Sequence, residues 1–221
     1  MSYQLRLNNI GFHAVDSVKD SFNRLPHTDH LDGNYRLRRY SRIRKGEQPE
    51  FDETFDYIKL SQKPFNQSED YNKHQGGMSR LFEDIEDDVI TSLGMRVMCD
   101  EFLAASGFEY DQVIEVHQMR IITTGEKTPV SPEGVHQDGY DFIAIIGIER
   151  HNISGGQALV HRTYGGKAIF ESALNPGEML MINDRELWHN AGGIFRIHPD
   201  MQGYMDAFIL TSRRKEQHED V

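Results

Sequence analysis

A series of short β-type segments, separated by strong turn signals, fills the second half of the chain and most constrains its fold. The segments cover residues 113–122, 141–148, 158–161, 168–170, 178–182 and 207–211. The turn-forming pairs between them include Gly155-Gly156, Gly165-Gly166, Pro176-Gly177 and Asn183-Asp184. Short strands at close spacing are typical of a β-sandwich or barrel. The sequence therefore predicts a mainly β fold with flanking helices, built on a double-stranded β-helix (jelly-roll or cupin-like) core.

The first half of the chain favours helices over strands. Between residues 86 and 106 apolar side chains recur at helical spacing, and Gly107 suits the end of that helix. Residues 5–13 alternate loosely, as a short strand does, and residues 17–25 suit one or two helical turns. Residues 26–80 are polar and rich in turn formers, so the pattern assigns no definite helix or strand there.

No repeat, low-complexity stretch or linker divides the chain, and its 221 residues lie near the upper end of a single domain. We therefore expect one domain over residues 1–221. It comprises a mixed N-terminal part with the long helix (1–110), a jelly-roll core (111–213) and a charged tail (214–221).

The balance of charge excludes several classes of partner. The formal net charge of −11 disfavours nucleic acid and anionic membranes, because phosphate groups are bound by basic surfaces. No run approaches the roughly 18 apolar residues of a membrane span, and the first residues lack the apolar stretch of a signal peptide. A single cysteine, Cys99, permits no internal disulfide. We expect a cytoplasmic protein with no nucleic-acid or membrane partner.

The pattern His-x-Asp can supply two ligands to one metal ion. It occurs four times, as His27/Asp29, His136/Asp138, His198/Asp200 and His218/Asp220. In a chain with 11 histidines the pattern alone carries little information. Only His136 and Asp138 directly precede a long apolar strand, and side chains two residues apart on extended backbone point the same way. The other pairs lie in a turn-rich stretch, in a loop and in the charged tail.

A third ligand must come from another strand. His189 follows the apolar run 178–182 and the turn Asn183-Asp184, with 50 residues between it and Asp138. In a jelly roll that separation lets a later strand return beside an earlier one. Two imidazoles and one carboxylate on one face of an iron ion leave three positions open, which is the usual arrangement for activating O₂ at non-haem Fe(II). The alternative is a pair of surface histidines with a turn aspartate.

An ordered set of stretches resembles a known family. They are RRYSR (38–42), PFNQSEDYNKHQGGMSRLF (64–82), HQMR (117–120), PEGVHQDGYDFIAI (132–145), SGGQALVHR (154–162) and Trp188-His189. Together they resemble the 2-oxoglutarate/Fe(II) dioxygenases that include bacterial L-isoleucine dioxygenase and related free-amino-acid hydroxylases. The ordered set is more specific than any single stretch. The resemblance supports an iron site at His136, Asp138 and His189.

The resemblance also implies chemistry and partners. Such enzymes use Fe(II), O₂ and 2-oxoglutarate, which chelates the iron through its 2-oxo acid end and is decarboxylated while a substrate C–H bond is hydroxylated. The implied partner is a small-molecule substrate, namely a free L-amino acid or a similar zwitterion. A homodimer stays open, because dimers are common for such folds although no segment of this sequence marks an interface.

The last core strand departs from the family pattern. Relatives place an arginine at its start, where it binds the far carboxylate of 2-oxoglutarate, but Met205 stands at that position here. Methionine cannot offset the desolvation of a carboxylate, so we expect another arginine to replace it. The candidates are Arg120, Arg150, Arg162 and Arg196. Two alternatives stay open: a 2-oxo acid with an apolar tail, and loss of ordinary 2-oxoglutarate turnover.

Arg120 lies among apolar neighbours on a predicted core strand, where it needs an anion. That anion is either a carboxylate of the substrate or co-substrate, or a nearby side chain such as Glu133. Glu133 could instead orient a ligand histidine. His117 lies three residues before Arg120, so it should face the other side of the strand as a packed histidine and not as a ligand.

Other residues near the motifs are open to two interpretations. Tyr140 and Trp188 flank metal ligands and either line a pocket or belong to the core. The residues that either cover the pocket mouth or form a turn are Asn72, Gly76, Gly77 and Arg80. Two rival functions also stay open. One is an iron dioxygenase that uses a different 2-oxo acid or none, and the other is a cupin-like metal-binding or sensory protein without turnover.

Overall fold

The computed structural model of the protein describes residues 5–46, 57–69 and 76–214. The strands are β1 (Leu5–Asn9), β2 (Arg36–Lys45), β3 (Tyr57–Lys59), β4 (Ile114–Ile122), β5 (Phe142–His151), β6 (Ile153–Gly155), β7 (Ala158–His161), β8 (Ala168–Ser172), β9 (Glu178–Asn183), β10 (Trp188–Ala191), β11 (Ile194–Arg196) and β12 (Tyr204–Ser212). The α-helices are α1 (Phe12–Lys19), α2 (Asp87–Ile90) and α3 (Leu93–Ser106), and a 3-10 helix (Asp20–Arg24) follows α1.

Two layers of antiparallel strands form the core. Seven strands make the larger sheet in the order β1-β9-β5-β12-β4-β2-β3, and the smaller layer consists of β10-β7-β8 and the pair β11-β6. Sheet neighbours are distant in sequence, since β12 pairs with both β4 and β5. The predicted mainly β fold with a double-stranded β-helix core is confirmed.

Strand β5 shows how the two faces of the larger sheet differ. Its residues Ala144, Ile146 and Ile148 belong to the core that packs beneath the helices. The alternate residue Ile143 packs with Val160 of β7, inside the jelly roll. The helices therefore cover the outer face of the larger sheet, and its inner face is left to line a pocket.

Strand β2 lies within residues 26–80, where the sequence pattern assigned no definite element. Its outward-facing Leu37 and Ile43 join the core beneath the helices, whereas Arg36 and Arg38 line the interior pocket. Charged residues at the inward positions remove the apolar alternation by which a strand is predicted. The strand was missed for that reason.

The helix predicted over residues 86–106 is divided in two. Helix α2 ends at Ile90, and the side chain of Ser92 caps α3 by accepting the N–H of Met95 at 3.1 Å. A serine in this position competes for backbone N–H groups, so the helix restarts there. The predicted end is confirmed, because Gly107 adopts a left-handed φ of 66° that favours glycine.

Near the N-terminus the structure shifts two predicted boundaries. The strand expected within residues 5–13 ends at Asn9, and the helix expected over residues 17–25 begins earlier, at Phe12. In the described part of the chain, no helix has both the length and the apolar character needed to cross a bilayer.

Candidate metal centre and adjoining pocket

His136, Asp138 and His189 converge on the wall of a pocket inside the jelly roll. The atoms that they could offer to a metal all lie within 4.8 Å of one another. Nε2 of His136 is 3.5 Å from one oxygen of Asp138, and Nε2 of His189 is 3.4 Å from the other. Two ligands roughly 2.1 Å from one ion lie roughly 3 to 4 Å apart, so these separations fit a shared ion.

Backbone pairing holds the two histidines side by side. The N–H of His136 donates to the carbonyl of His189, and the reverse bond is also formed, each at 2.9 Å. This bridge attaches the His-x-Asp segment to β10 of the smaller layer. Nδ1 of His136 donates to the carbonyl of Gly134 at 2.8 Å, which leaves Nε2 free to bind a metal.

The buried carboxylate of Asp184 fixes the backbone of residues 138–140, which we call the ligand loop because it carries Asp138. It accepts the backbone N–H groups of Asp138, Gly139 and Tyr140 at 2.7 to 3.1 Å. Its Oδ1 also lies 3.6 Å from Nδ1 of His189. Asp184 therefore positions the backbone of one ligand and faces the outer nitrogen of another. Sequence reasoning treated it only as a turn residue, because its partners lie 44 to 46 residues away.

Two further polar side chains lie next to the triad of His136, Asp138 and His189. Gln67 donates to Oδ1 of Asp138 at 2.6 Å, which restricts rotation of that carboxylate. Sequence reasoning did not single out Gln67, although it lies within the family-like stretch 64–82. Oε1 of Glu133 lies 3.4 Å from Nε2 of His136, so it faces the metal-binding side of the ring and not the outer nitrogen.

The charges of the triad suit a cation. Burial alone would lower the pKa of His136, but the hydrogen bond and charge of Asp138, together with Glu133, raise it to about 9. Burial alone would raise the pKa of Asp138, but His136 and His189 hold it well below its usual value. A site that stabilises a proton in this way also stabilises a divalent ion in its place. Two imidazoles and one carboxylate fit Fe(II).

Three arginines line the pocket on the side of β2. Arg36 forms an ion pair at 2.7 Å with the aspartate four residues before it. Arg38 and Arg80 rest on aromatic rings, 5.1 Å from the centre of Phe82 and 4.9 Å from that of Phe65 respectively. Burial, together with the charges of the neighbouring arginines, lowers the pKa of Arg38 to about 9.

His117 is buried and lies on the inner face of β4, on the opposite side from Arg120, as predicted. Its ring packs against Tyr40 and Phe65, with ring centres 4.7 and 4.6 Å away. Burial, followed by the charge of Arg38, lowers the pKa of His117 well below its usual value. His117 is therefore a neutral packed histidine beside the pocket.

Of the four arginines predicted for the co-substrate, three are not among the residues that line this pocket, namely Arg120, Arg162 and Arg196. Arg120 donates to both oxygens of Asp206 at 2.7 Å each, so its anion is Asp206 and not Glu133. Arg162 is exposed to solvent. Arg196 ends β11 and donates to oxygens of Thr123 and Pro199.

Of the other predicted residues, Arg80, Tyr140 and Arg150 line the pocket. Trp188 is half-buried and packs edge-on against Tyr164. Those that lie outside the described residues are Asn72, His218 and Asp220. The His-x-Asp pairs that are exposed to solvent are His27/Asp29 and His198/Asp200.

A jelly roll that brings two imidazoles and one carboxylate to the wall of an interior pocket defines the class of non-haem iron oxygenases on a double-stranded β-helix. The chain belongs to the 2OG-Fe dioxygenase family, whose sequence model matches residues 19–211. It is therefore a dioxygenase, and its family uses Fe(II), 2-oxoglutarate and O₂.

Solved structures share the fold. A bsmA homologue from Methylobium petroleophilum PM1 is 26% identical, with a TM-score of 0.75 over 90% of this chain and 81% of that chain. IDO from Bacillus thuringiensis is 19% identical, with a TM-score of 0.69 over 92% and 86%. The Fe(II)/α-ketoglutarate-dependent dioxygenase TqaL is 14% identical, with a TM-score of 0.68 over 96% and 83%. A search of curated protein sequences gives no match.

Proposed function

We propose that this dioxygenase hydroxylates a small free L-amino acid or a similar zwitterion, with Fe(II) held by His136, Asp138 and His189. The observation that carries the proposal is that one pocket contains the triad, the buried cation of Arg38 and the carboxylate of Glu133. A zwitterion carries one carboxylate and one ammonium group, so it needs one partner of each sign. The free-amino-acid hydroxylases that the sequence resembles support the same substrate class.

Arg38 provides the site for the substrate carboxylate. Its Nη2 contacts the sulfur of Met119 at 3.5 Å, and its guanidinium lies on the ring of Phe82. Among the described residues, no carboxylate forms an ion pair with Arg38. A buried guanidinium without an anion is costly, and a bound carboxylate removes that cost. Arg80 lines the same side of the pocket and adds a second positive charge.

Glu133 provides the site for the ammonium group. Because its carboxylate lies 3.4 Å from Nε2 of His136, an ammonium bound to it lies next to the metal centre. The substrate carbon beside the ammonium group is then held near the open side of the triad. Apolar residues that line the pocket, including Ile143 and Leu174, suit an aliphatic side chain.

Fe(II) with 2-oxoglutarate and O₂ supplies the oxidising power to insert one oxygen atom into a C–H bond, while the other oxygen leaves in succinate. The residues of the chain bind and orient. Asp184 and Gln67 hold Asp138 in place, Arg38 and Glu133 orient the substrate, and the apolar lining limits the access of water.

An amino-acid library incubated with the full chain, Fe(II), ascorbate and 2-oxoglutarate tests the proposal. We expect at least one amino acid to give succinate together with a product heavier by one oxygen atom, and His136→Ala to abolish both signals. Succinate that no library member increases would contradict the substrate class. Oxygen consumption that depends on substrate, without succinate, would favour a dioxygenase that uses a different 2-oxo acid or none.

A matched pair of variants tests the orientation of the substrate. Arg38→Met removes the cation inside the pocket, whereas Arg39→Met removes the next arginine, which forms an ion pair with Glu83. We expect Arg38→Met to raise KM for the amino acid by on the order of 10 to 100-fold, because a charge-assisted pair is lost. Arg39→Met should leave KM unchanged. Equal KM values in the wild type and both variants would show that Arg38 does not bind the substrate.

A further inference from the structure

A second unsatisfied cation lies in the pocket, three strands away from Arg38. The strands β5, β12, β4 and β2 are consecutive in the larger sheet, and Arg150 belongs to β5 whereas Arg38 belongs to β2. At about 4.8 Å per strand, their strands lie about 14 Å apart along the sheet. One pocket therefore offers two separate sites for a carboxylate.

A β-bulge turns Arg150 toward the pocket. The inward residues of β5 and β12 pair in register, with Ile145 opposite Ile209 and Gly147 opposite Ala207. The next pairs are Glu149 opposite Asp206 and Arg150 opposite Met205, so β5 contains one extra residue at this point. Without the bulge, strict alternation along β5 would direct Glu149 inward and Arg150 toward the helices. The bulge thus exchanges a carboxylate for a guanidinium in the pocket.

The contacts of Arg150 leave part of its guanidinium without a partner. Nη2 donates to the carbonyl of Gly155 at 2.5 Å. Nη1 is buried and has no hydrogen-bond partner among the described residues. The space beside Gly156 is shared by this nitrogen and by the sulfur of Met205, each 3.3 Å from the point where a Cβ of residue 156 would lie. Because residue 156 is a glycine, there is room beside the guanidinium of Arg150, and the side chain of Met205 borders the same space.

We propose that Arg150 binds the far carboxylate of the 2-oxo acid co-substrate, in place of an arginine at position 205. The proposal rests on the proposed function, because it requires that 2-oxoglutarate binds in this pocket. Arg36 in the same pocket is already paired with an aspartate, and Arg38 lies three strands away. Burial lowers the pKa of Arg150, and a bound carboxylate both satisfies Nη1 and stabilises the charge.

Binding of two matched ligands to the full chain tests the proposal. 2-Oxoglutarate and 2-oxopentanoate have the same five-carbon chain, but 2-oxopentanoate ends in a methyl group. Anaerobic titration of each ligand into the Fe(II)-loaded protein, followed by the metal-to-ligand absorption band, measures binding without turnover. We expect the wild-type chain to prefer 2-oxoglutarate, and Arg150→Met to weaken 2-oxoglutarate by on the order of 100-fold while leaving 2-oxopentanoate nearly unchanged.

Three further variants make the result decisive. Arg162→Met removes an exposed arginine and should bind both ligands as the wild type does. Arg150→Gln retains a donor for Gly155, and it should lose the preference as well if the charge is responsible. The double variant Arg150→Met/Met205→Arg should regain part of the preference, because the cation returns to the adjacent strand.

The outcomes separate this proposal from the proposed function. A wild-type chain that binds neither ligand would overturn both. A wild-type chain that binds 2-oxoglutarate, with the preference intact in folded Arg150→Met and Arg150→Gln, would overturn the role of Arg150 alone.

Discussion

Asp184→Asn tests whether the ligand loop depends on a buried carboxylate. Asp184 accepts three backbone N–H groups, from Asp138, Gly139 and Tyr140. All three reach the same oxygen, Oδ2, and the N–H of Asp138 also reaches Oδ1 at 3.1 Å. An asparagine can place its oxygen at Oδ2, but its NH₂ group then replaces Oδ1 and cannot accept. The three hydrogen bonds also lose the charge of the carboxylate, and since hydrogen bonds to charged groups are stronger by roughly 1 kcal/mol each, the change costs about 1 to 3 kcal/mol.

A smaller effect acts in the opposite direction. Burial, together with the nearby charge of Asp138, raises the pKa of Asp184, so the folded state already bears a desolvation cost that a neutral amide avoids. The loss of charge-assisted hydrogen bonds exceeds this gain, because three donors converge on the carboxylate. We expect the variant to lose about 2 kcal/mol of unfolding free energy, and its iron affinity to fall about 10 to 100-fold.

Urea denaturation of the apo protein measures the first quantity, and competition with a chelator measures the second. The matched control is Glu186→Gln, an exposed carboxylate two residues away that undergoes the same chemical change. It should shift stability by less than about 0.5 kcal/mol. Equal stability and equal iron affinity of Asp184→Asn and the wild type would show that the carboxylate does not hold this loop.

Three other perturbations have defined outcomes. The pKa of His117 is depressed in the folded state. Below pH 6.5, the ordinary pKa of histidine, the unfolded chain therefore binds a proton that the folded chain does not, so the stability of the folded state is complete above pH 6.5 and falls below it. The unfolding free energy of the wild type relative to His117→Gln should therefore fall by about 1.4 kcal/mol per pH unit below that value, as measured by urea denaturation at several pH values; a constant difference would contradict the burial of a neutral imidazole. Ser92→Ala removes the cap of α3 and should destabilise the protein by about 1 kcal/mol in thermal unfolding, whereas Ser79→Ala, on a loop, should have little effect. Added Fe(II) should raise the melting temperature of the wild type in a concentration-dependent way and leave that of His136→Ala unchanged, since only a folded site binds the ion.

Much of the architecture could be predicted from patterns of neighbouring residues in the sequence. The turn signals and β-type segments after Gly107 predicted the strands of the jelly roll, and apolar spacing predicted the main helix and its end. The residues of the candidate metal site could also be predicted from the sequence. His136 and Asp138 were distinguished from three similar pairs by the strand that follows them, and His189 by its distance along the chain and by family resemblance.

The residues that support the ligands were not accessible in this way. The sequence around Asp184 indicated only a turn. Arg36 and Arg38 interrupt the alternation of apolar residues by which their strand, β2, would have been predicted. The sequence indicated that Arg120 needs an anion but not which one, and that anion is Asp206 on the neighbouring strand. Each of these roles depends on a partner that is distant in sequence, so no window of neighbouring residues contains the information.

The sequence by itself determined which residue types are available: two histidines and an aspartate for the candidate metal site, apolar runs for the sheets, and a methionine at position 205, where the family resemblance predicts an arginine. Only the tertiary structure decided which side chains enter the pocket. The physical reason is that the direction of a side chain on a strand changes with every residue, and one extra residue in β5 reverses it. The pairing of β5 with β12 therefore directs Arg150, and not Glu149, into the interior.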